Sequence, residues 1–201
     1  MQKIVIFISV LLLPFTSVAE EEANICAGDL SANILASTPL SQFTIGDSDS
    51  DTINDETVVI DNKTGLMWAR CTYGYQWDSG VASCTQVVSD DVAQVNWTEA
   101  LVEASNTNSS DGTPGVGGYS DWRLPNIREL ASLLERKCSG VAINNNVFPG
   151  SVGSFYWSST HVYGSVTSPY SVRGVNFANG GSLDTLLSNQ NVYLRLVRDM
   201  N

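Results

Sequence analysis

The chain has 201 residues, with 10 Lys and Arg against 21 Asp and Glu and a formal net charge of −11. A surface of that sign repels nucleic acid and anionic lipid at long range, which argues against both as partners. One ordinary domain fits the length, since a chain of this size buries a real core without help.

The first segment reads as an export leader. Met1-Gln2-Lys3 is a short positive start, Ile4 to Leu13 is apolar apart from Ser9, Pro14 breaks the run, and Ser17-Val18-Ala19 supplies small residues for cleavage. Residues 1–19 therefore read as a secretory signal peptide, and the mature chain is expected to be secreted, periplasmic or at a cell surface. Bulky Ile25 disfavours Cys26 as a lipid-attachment site, and no later run is long enough to span a bilayer. Residues 20–42 read as an irregular lead-in that gains order mainly through Cys26, and residues 43–201 as one domain.

Four cysteines in an exported protein are expected to pair. Cys71 and Cys84 are close enough to shut a small loop, which leaves Cys26 for Cys138. Three connectivities exist, and spacing alone does not choose among them. A zinc site is the rival reading, but there is no CxxC spacing and His161 is the single histidine.

Between Gly46 and Glu56 the chain is acidic. Asp47, Asp49, Asp51 and Asp55 have some of the spacing of a calcium loop. Thr52 stands where the turn glycine belongs and Val58 where the bidentate glutamate belongs, so the expectation is a solvated loop and no cofactor. Thr57–Ile60 and Leu66–Ala69 then read as two strands joined by the turn at residues 61–65. Asn96 opens a helix to about Ser105, with Glu99 placed for a capping box. Asn126 and Glu129 repeat that pattern, and Ile127, Leu130, Ala131 and Leu134 make the buried stripe of a second helix. Short strands follow at Phe155–Ser159, Val172–Phe177 and Val192–Arg198. Two helices among short antiparallel strands and long loops, stapled by disulfides, indicate an α+β fold.

Several motifs carry a family resemblance. They are residues 61–68 (Asp-Asn-Lys-Thr-Gly-Leu-Met-Trp), residues 117–130 around Trp122-Arg123-Leu124-Pro125-Asn126, Ala142-Ile143-Asn144, Tyr156-Trp157-Ser158-Ser159-Thr160, Val175-Asn176-Phe177 and Arg195-Leu196-Val197-Arg198. In this order they resemble the Lcl C-terminal domain family, named for the distal domain of a bacterial collagen-like adhesin. The resemblance spans about Phe43 to Asp199. It implies a C-type-lectin-like fold whose termini meet in a small sheet and whose long looped half displays a binding surface. It also implies an extracytoplasmic recognition module of bacteria, sometimes a homotrimer, with a glycan or protein as ligand. Here there is no collagen stalk. The acidic balance also counts against polysulfated ligands unless arginines such as Arg123, Arg128, Arg173, Arg195 and Arg198 gather on one side. Arg123 and Arg198 read as scaffold groups. The carboxylate-Pro-Asn triplet of calcium-bridging lectins is missing, since Leu124-Pro125-Asn126 lacks the leading acid.

By that architecture the exposed face lies between the Trp-Ser-Ser strand and the last strand. The candidate ligand-binding residues there are Tyr163, Tyr170, Arg173, Asn176, Asn179, Asn189, Asn191 and Tyr193, a Tyr/Asn mix suited to recognition. Trp68, Trp97, Trp122 and Trp157 are expected in the core. Trp77, inside the Cys71–Cys84 loop with Tyr73 and Tyr75, is a further binding candidate. No Gly-x-Ser-x-Gly elbow, nucleophile–base pair or buried carboxylate pair is visible, so the chain is not expected to be an enzyme. The rival reading is a structural or accessory subunit of a surface assembly, with the same face buried against a partner chain.

Overall fold

The structure is a computed structural model describing residues 25–26, 34–46, 55–108, 115–162, 171–178 and 181–200, the side chains of Asp55, Asp91 and Val92 excepted. Strands β1 (Phe43–Ile45), β2 (Val58–Asp61), β3 (Leu66–Ala69), β4 (Tyr75–Asp78) and β5 (Ser83–Gln86) come first. The helical elements follow: a single turn α1 (Asp90–Ala93), then α2 (Trp97–Thr107) and α3 (Ile127–Ala131). Strands β6 (Phe155–His161), β7 (Ser171–Asn176), β8 (Ser182–Leu187) and β9 (Val197–Asp199) complete the order. They form three antiparallel sheets, β1-β2-β3-β9, β4-β5 and β6-β7-β8. The mixed class expected from the sequence is what forms, and the last strand does return beside the first ones.

Strands β2 and β3 are buried on both faces, which explains why Val58–Ile60 and Leu66–Ala69 are apolar without a break. Alternation still sorts the side chains. Val59, Leu66 and Trp68 enter one core with Phe148, Tyr156 and Leu130, while Val58, Ile60, Met67 and Ala69 enter a second with Trp122, Trp157 and Leu196. Trp68, Trp122 and Trp157 are buried as expected, and Trp97 is half-buried with its Nε1 donating to Ser158 O.

Both capping boxes are present. Asn96 Oδ1 accepts from Glu99 N while Glu99 receives Asn96 N, and Asn126 and Glu129 do the same. The second helix is shorter than its apolar stripe. After Ala131 the chain turns away, and Glu135 N donates to Ala142 O at 2.9 Å. Leu134 is buried all the same, from irregular backbone.

Both disulfides form, Cys26–Cys138 and Cys71–Cys84, so the pairing that spacing left open is fixed by the fold. The described part of the lead-in owes its place to more than Cys26. The fully buried Glu135 carboxylate accepts from Ser37 N, Thr38 N, Thr38 Oγ1 and Lys137 N, while Asn144 Nδ2 donates to Thr38 O. Burial alone would push the Glu135 carboxyl up, but these backbone and hydroxyl donors outweigh it and hold the group below the usual carboxylate range.

Arg195 is buried, and among the described residues no carboxylate pairs with it. Its NH1 donates to the carbonyls of Ala69 and Arg70, and its NH2 to Thr72 Oγ1 and Ser151 Oγ. Burial pulls its pKa down from the ordinary arginine value. Arg123 pairs with Glu129 and Asp199, and Arg198 with Asp121 while lying 4.0 Å over Tyr119, so both serve the scaffold.

Candidate functional site: an aromatic cleft beside a stapled hairpin

A concavity lies where the Cys71–Cys84 segment meets the end of α2. Its volume is about 460 Å³. Residues 71–77 form one wall, with Tyr73, Tyr75 and Trp77 among them. Thr107 and the turn at Gly115–Gly117 form another, and Ala69 with Leu196 contributes from the central sheet. Ala69 N donates to Leu196 O at 3.0 Å, so the strands hold that part of the wall.

The hairpin exists because β4 and β5 pair with Trp77 opposite Cys84, and the Cys71 bridge clamps it to the chain leaving β3. Strand β4 alternates half-buried and exposed side chains and β5 buries only Cys84, so the pair has little core of its own, and the covalent link compensates. Trp77 is held from two sides. Its Nε1 donates to Glu56 Oε2, and the Arg70 guanidinium lies 3.6 Å over the ring. Arg70 is itself fixed, with Nε donating to Val147 O and NH1 to Glu56 O. Burial lowers the Arg70 pKa, with Glu56 acting against that shift.

Tyr73 OH donates to Glu103 Oε2 at 2.8 Å. Burial, reinforced by that bond and by the Glu103 charge, pushes Tyr73 up to about 12. Tyr73 therefore stays a neutral phenol at any physiological pH. Thr72 connects the wall to the interior, since its Oγ1 contacts both Arg195 NH2 and Tyr156 OH. The site thus combines flat aromatic surface with carboxylates on one side and buried guanidiniums behind. Such a cavity is of ordinary ligand-binding size.

Trp77 is the one expected site residue that this cleft includes. The late face is a different place. Arg173 stands exposed on β7, and Asn189 and Asn191 are exposed at the turn after β8. Asn176 is half-buried, its Oδ1 accepting from Ala178 N at 2.8 Å. Tyr163, Tyr170 and Asn179 lie outside the described residues, as do Asp47, Asp49, Asp51 and the side chain of Asp55. Tyr193 requires a correction. Its ring is 5% exposed and lies 5.7 Å from that of Tyr156, and its OH donates to Asp90 Oδ1. It packs the core because the bridges of Val192 to Val95 and of Tyr193 to Tyr156 draw this stretch inward.

Sequence reasoning missed Thr107, Val116 and Leu196 as wall residues, and Glu56, Glu103 and Arg70 as the supports of Trp77 and Tyr73. No local pattern marks them, because the cleft gathers segments from Thr57 to Leu196.

The chain is thus an α+β domain with two disulfides and an aromatic-walled cleft. The family profile of the Lcl C-terminal domain matches residues 57–198, and the chain belongs to that family. Membership points to a surface-associated domain. No curated protein matches the chain. Among the described residues no helix is long and apolar enough to cross a membrane.

Proposed function

We propose that this protein is an exported, non-catalytic module that recognises a glycan or protein ligand at the bacterial surface. The observation that supports it best is the cleft itself, a concave site with three aromatic residues in the covalently stapled Cys71–Cys84 segment. Aromatic walls fixed in advance suit binding, because little side-chain freedom is lost when a ligand arrives. The side chains in the wall are aromatic, aliphatic, hydroxyl and amide groups, and the nearby Glu56 and Glu103 are engaged by Trp77 and Tyr73. That set favours stacking and hydrogen bonding over bond cleavage. It also needs no bridging calcium. The C-type-lectin-like arrangement implied by the motifs accords with the small sheet that joins β9 to β3.

The test is a mixed array of glycans and extracellular-matrix proteins probed with the oxidised mature chain. Binding to at least one class, weakened by Val87→Arg at the cleft, is the expected result. Silence on both classes, or turnover of a substrate, overturns the proposal.

A second reading, a subunit of a surface assembly, is favoured by β8. Among the described residues this strand ends its sheet, with Leu183 and Leu187 about half exposed. An open edge with apolar side chains is a template for another chain. Co-purification with a fixed partner chain, released by Leu183→Lys, would favour it.

A further inference from the structure

We propose that the cleft takes an uncharged saccharide ring, with Trp77 as the surface on which it stacks. This rests on the reading of the domain as a ligand-binding module and names the ligand class for it. Trp77 has one face covered by Arg70, at 3.6 Å, and the residue lines the cleft. Its indole is pinned at Nε1 by Glu56, and Arg70 is pinned by Val147 O and Glu56 O. The platform is therefore set before a ligand arrives.

Charge then selects among flat ligands. A sulfated or carboxylated ring would bring its anion toward Glu56 and Glu103 on a protein of net charge −11. Among the described residues no charged side chain lines the cleft, so an ammonium finds no carboxylate in the wall to pair with. An uncharged ring meets neither penalty. A sugar presents apolar C–H surface to the indole, and its hydroxyls match the hydroxyl and amide groups that Thr57, Gln76 and Thr107 bring to the wall. The volume of about 460 Å³ leaves room for more than one ring.

The experiment is calorimetric titration of the oxidised mature chain with neutral hexose and N-acetylhexosamine disaccharides. A sulfated heparin disaccharide and the protonated glucosamine dimer serve as charged counterparts. Titrations run at low and at high salt. The expected result is binding of at least one neutral disaccharide, changed less than about twofold by salt because no ion pair forms. Trp77→Ala is expected to weaken it by about tenfold or more, and Trp77→Phe to restore most of it. Val87→Arg, at a half-exposed position of the wall, crowds the site without touching the Trp77 clamp and guards against a Trp77→Ala chain that fails to fold. Binding of charged disaccharides alone would overturn the ligand class and leave the binding-module reading in place. Neutral binding undiminished in Trp77→Ala and Val87→Arg would overturn the site. Binding of no saccharide overturns the inference, and the module reading falls with it only if the wider array is also silent.

Discussion

The two disulfides fasten regions of opposite kind. Cys26–Cys138 spans 112 residues and is one tie among several, because Ile25 O accepts from Asn145 N and Glu135 gathers Ser37 and Thr38. Cys71–Cys84 spans 13 residues and secures a two-stranded hairpin that buries little of itself. The first bridge attaches a segment to a finished core. The second stands in for a core that the hairpin cannot build, and it does so at the wall of the cleft.

That contrast can be broken experimentally. Cys26→Ser with Cys138→Ser is expected to cost the most, about 5 kcal/mol from the freed long loop, read from urea midpoints. Binding to the cleft should survive in whatever fraction folds. Cys71→Ser with Cys84→Ser is expected to cost about 3 kcal/mol and yet abolish binding, since the wall loses its clamp. Binding that is lost in the first pair and kept in the second would reverse the division of labour.

Glu135→Gln tests the ties beside the long bridge and should cost about 2 kcal/mol, because buried amides lose a charged acceptor. It also has a pH signature. The Glu135 carboxyl is held down in the folded chain, so the unfolded chain takes up the proton first. The stability it contributes is complete above the unfolded value near 4.3 and disappears as pH falls through the lower folded value. Acid titrations of the wild type should show that loss, and the Gln variant should lack it. The smallest effect is expected from Asn126→Ala, about 1 kcal/mol, as a drop in melting temperature when the α3 capping box opens.

What was legible in the sequence follows the range of the forces. The capping boxes at Asn96 and Asn126 depend on residues three apart, and both are present. The β2–β3 pair rests on a local turn and formed with Val59 opposite Trp68. Strand β8 was not foreseen, because Leu183, Leu186 and Leu187 break the alternation that marks a half-buried strand. Helix α3 was read three residues too long, since Glu135 N prefers the distant Ala142 carbonyl. Tyr193 was misplaced because tyrosine suits both recognition surface and core, and only the bridges to Val95 and Tyr156 decide between them. Trp77 was singled out from its loop, whereas Arg70, Glu56 and Thr107 carry no mark until the chain has closed.

The cleft owes its outline partly to backbone that leaves no room for a side chain. A Cβ on Gly115 would lie 2.3 Å from Tyr119 O and 2.4 Å from Thr107 O, and one on Gly117, at φ 61°, would lie 2.4 Å from Val58 Cγ1. Those two positions are closed to larger residues, so the cleft can vary only where its wall already carries side chains, as at Gln76, Val87 and Thr107. Its frame would be inherited while its rim drifted.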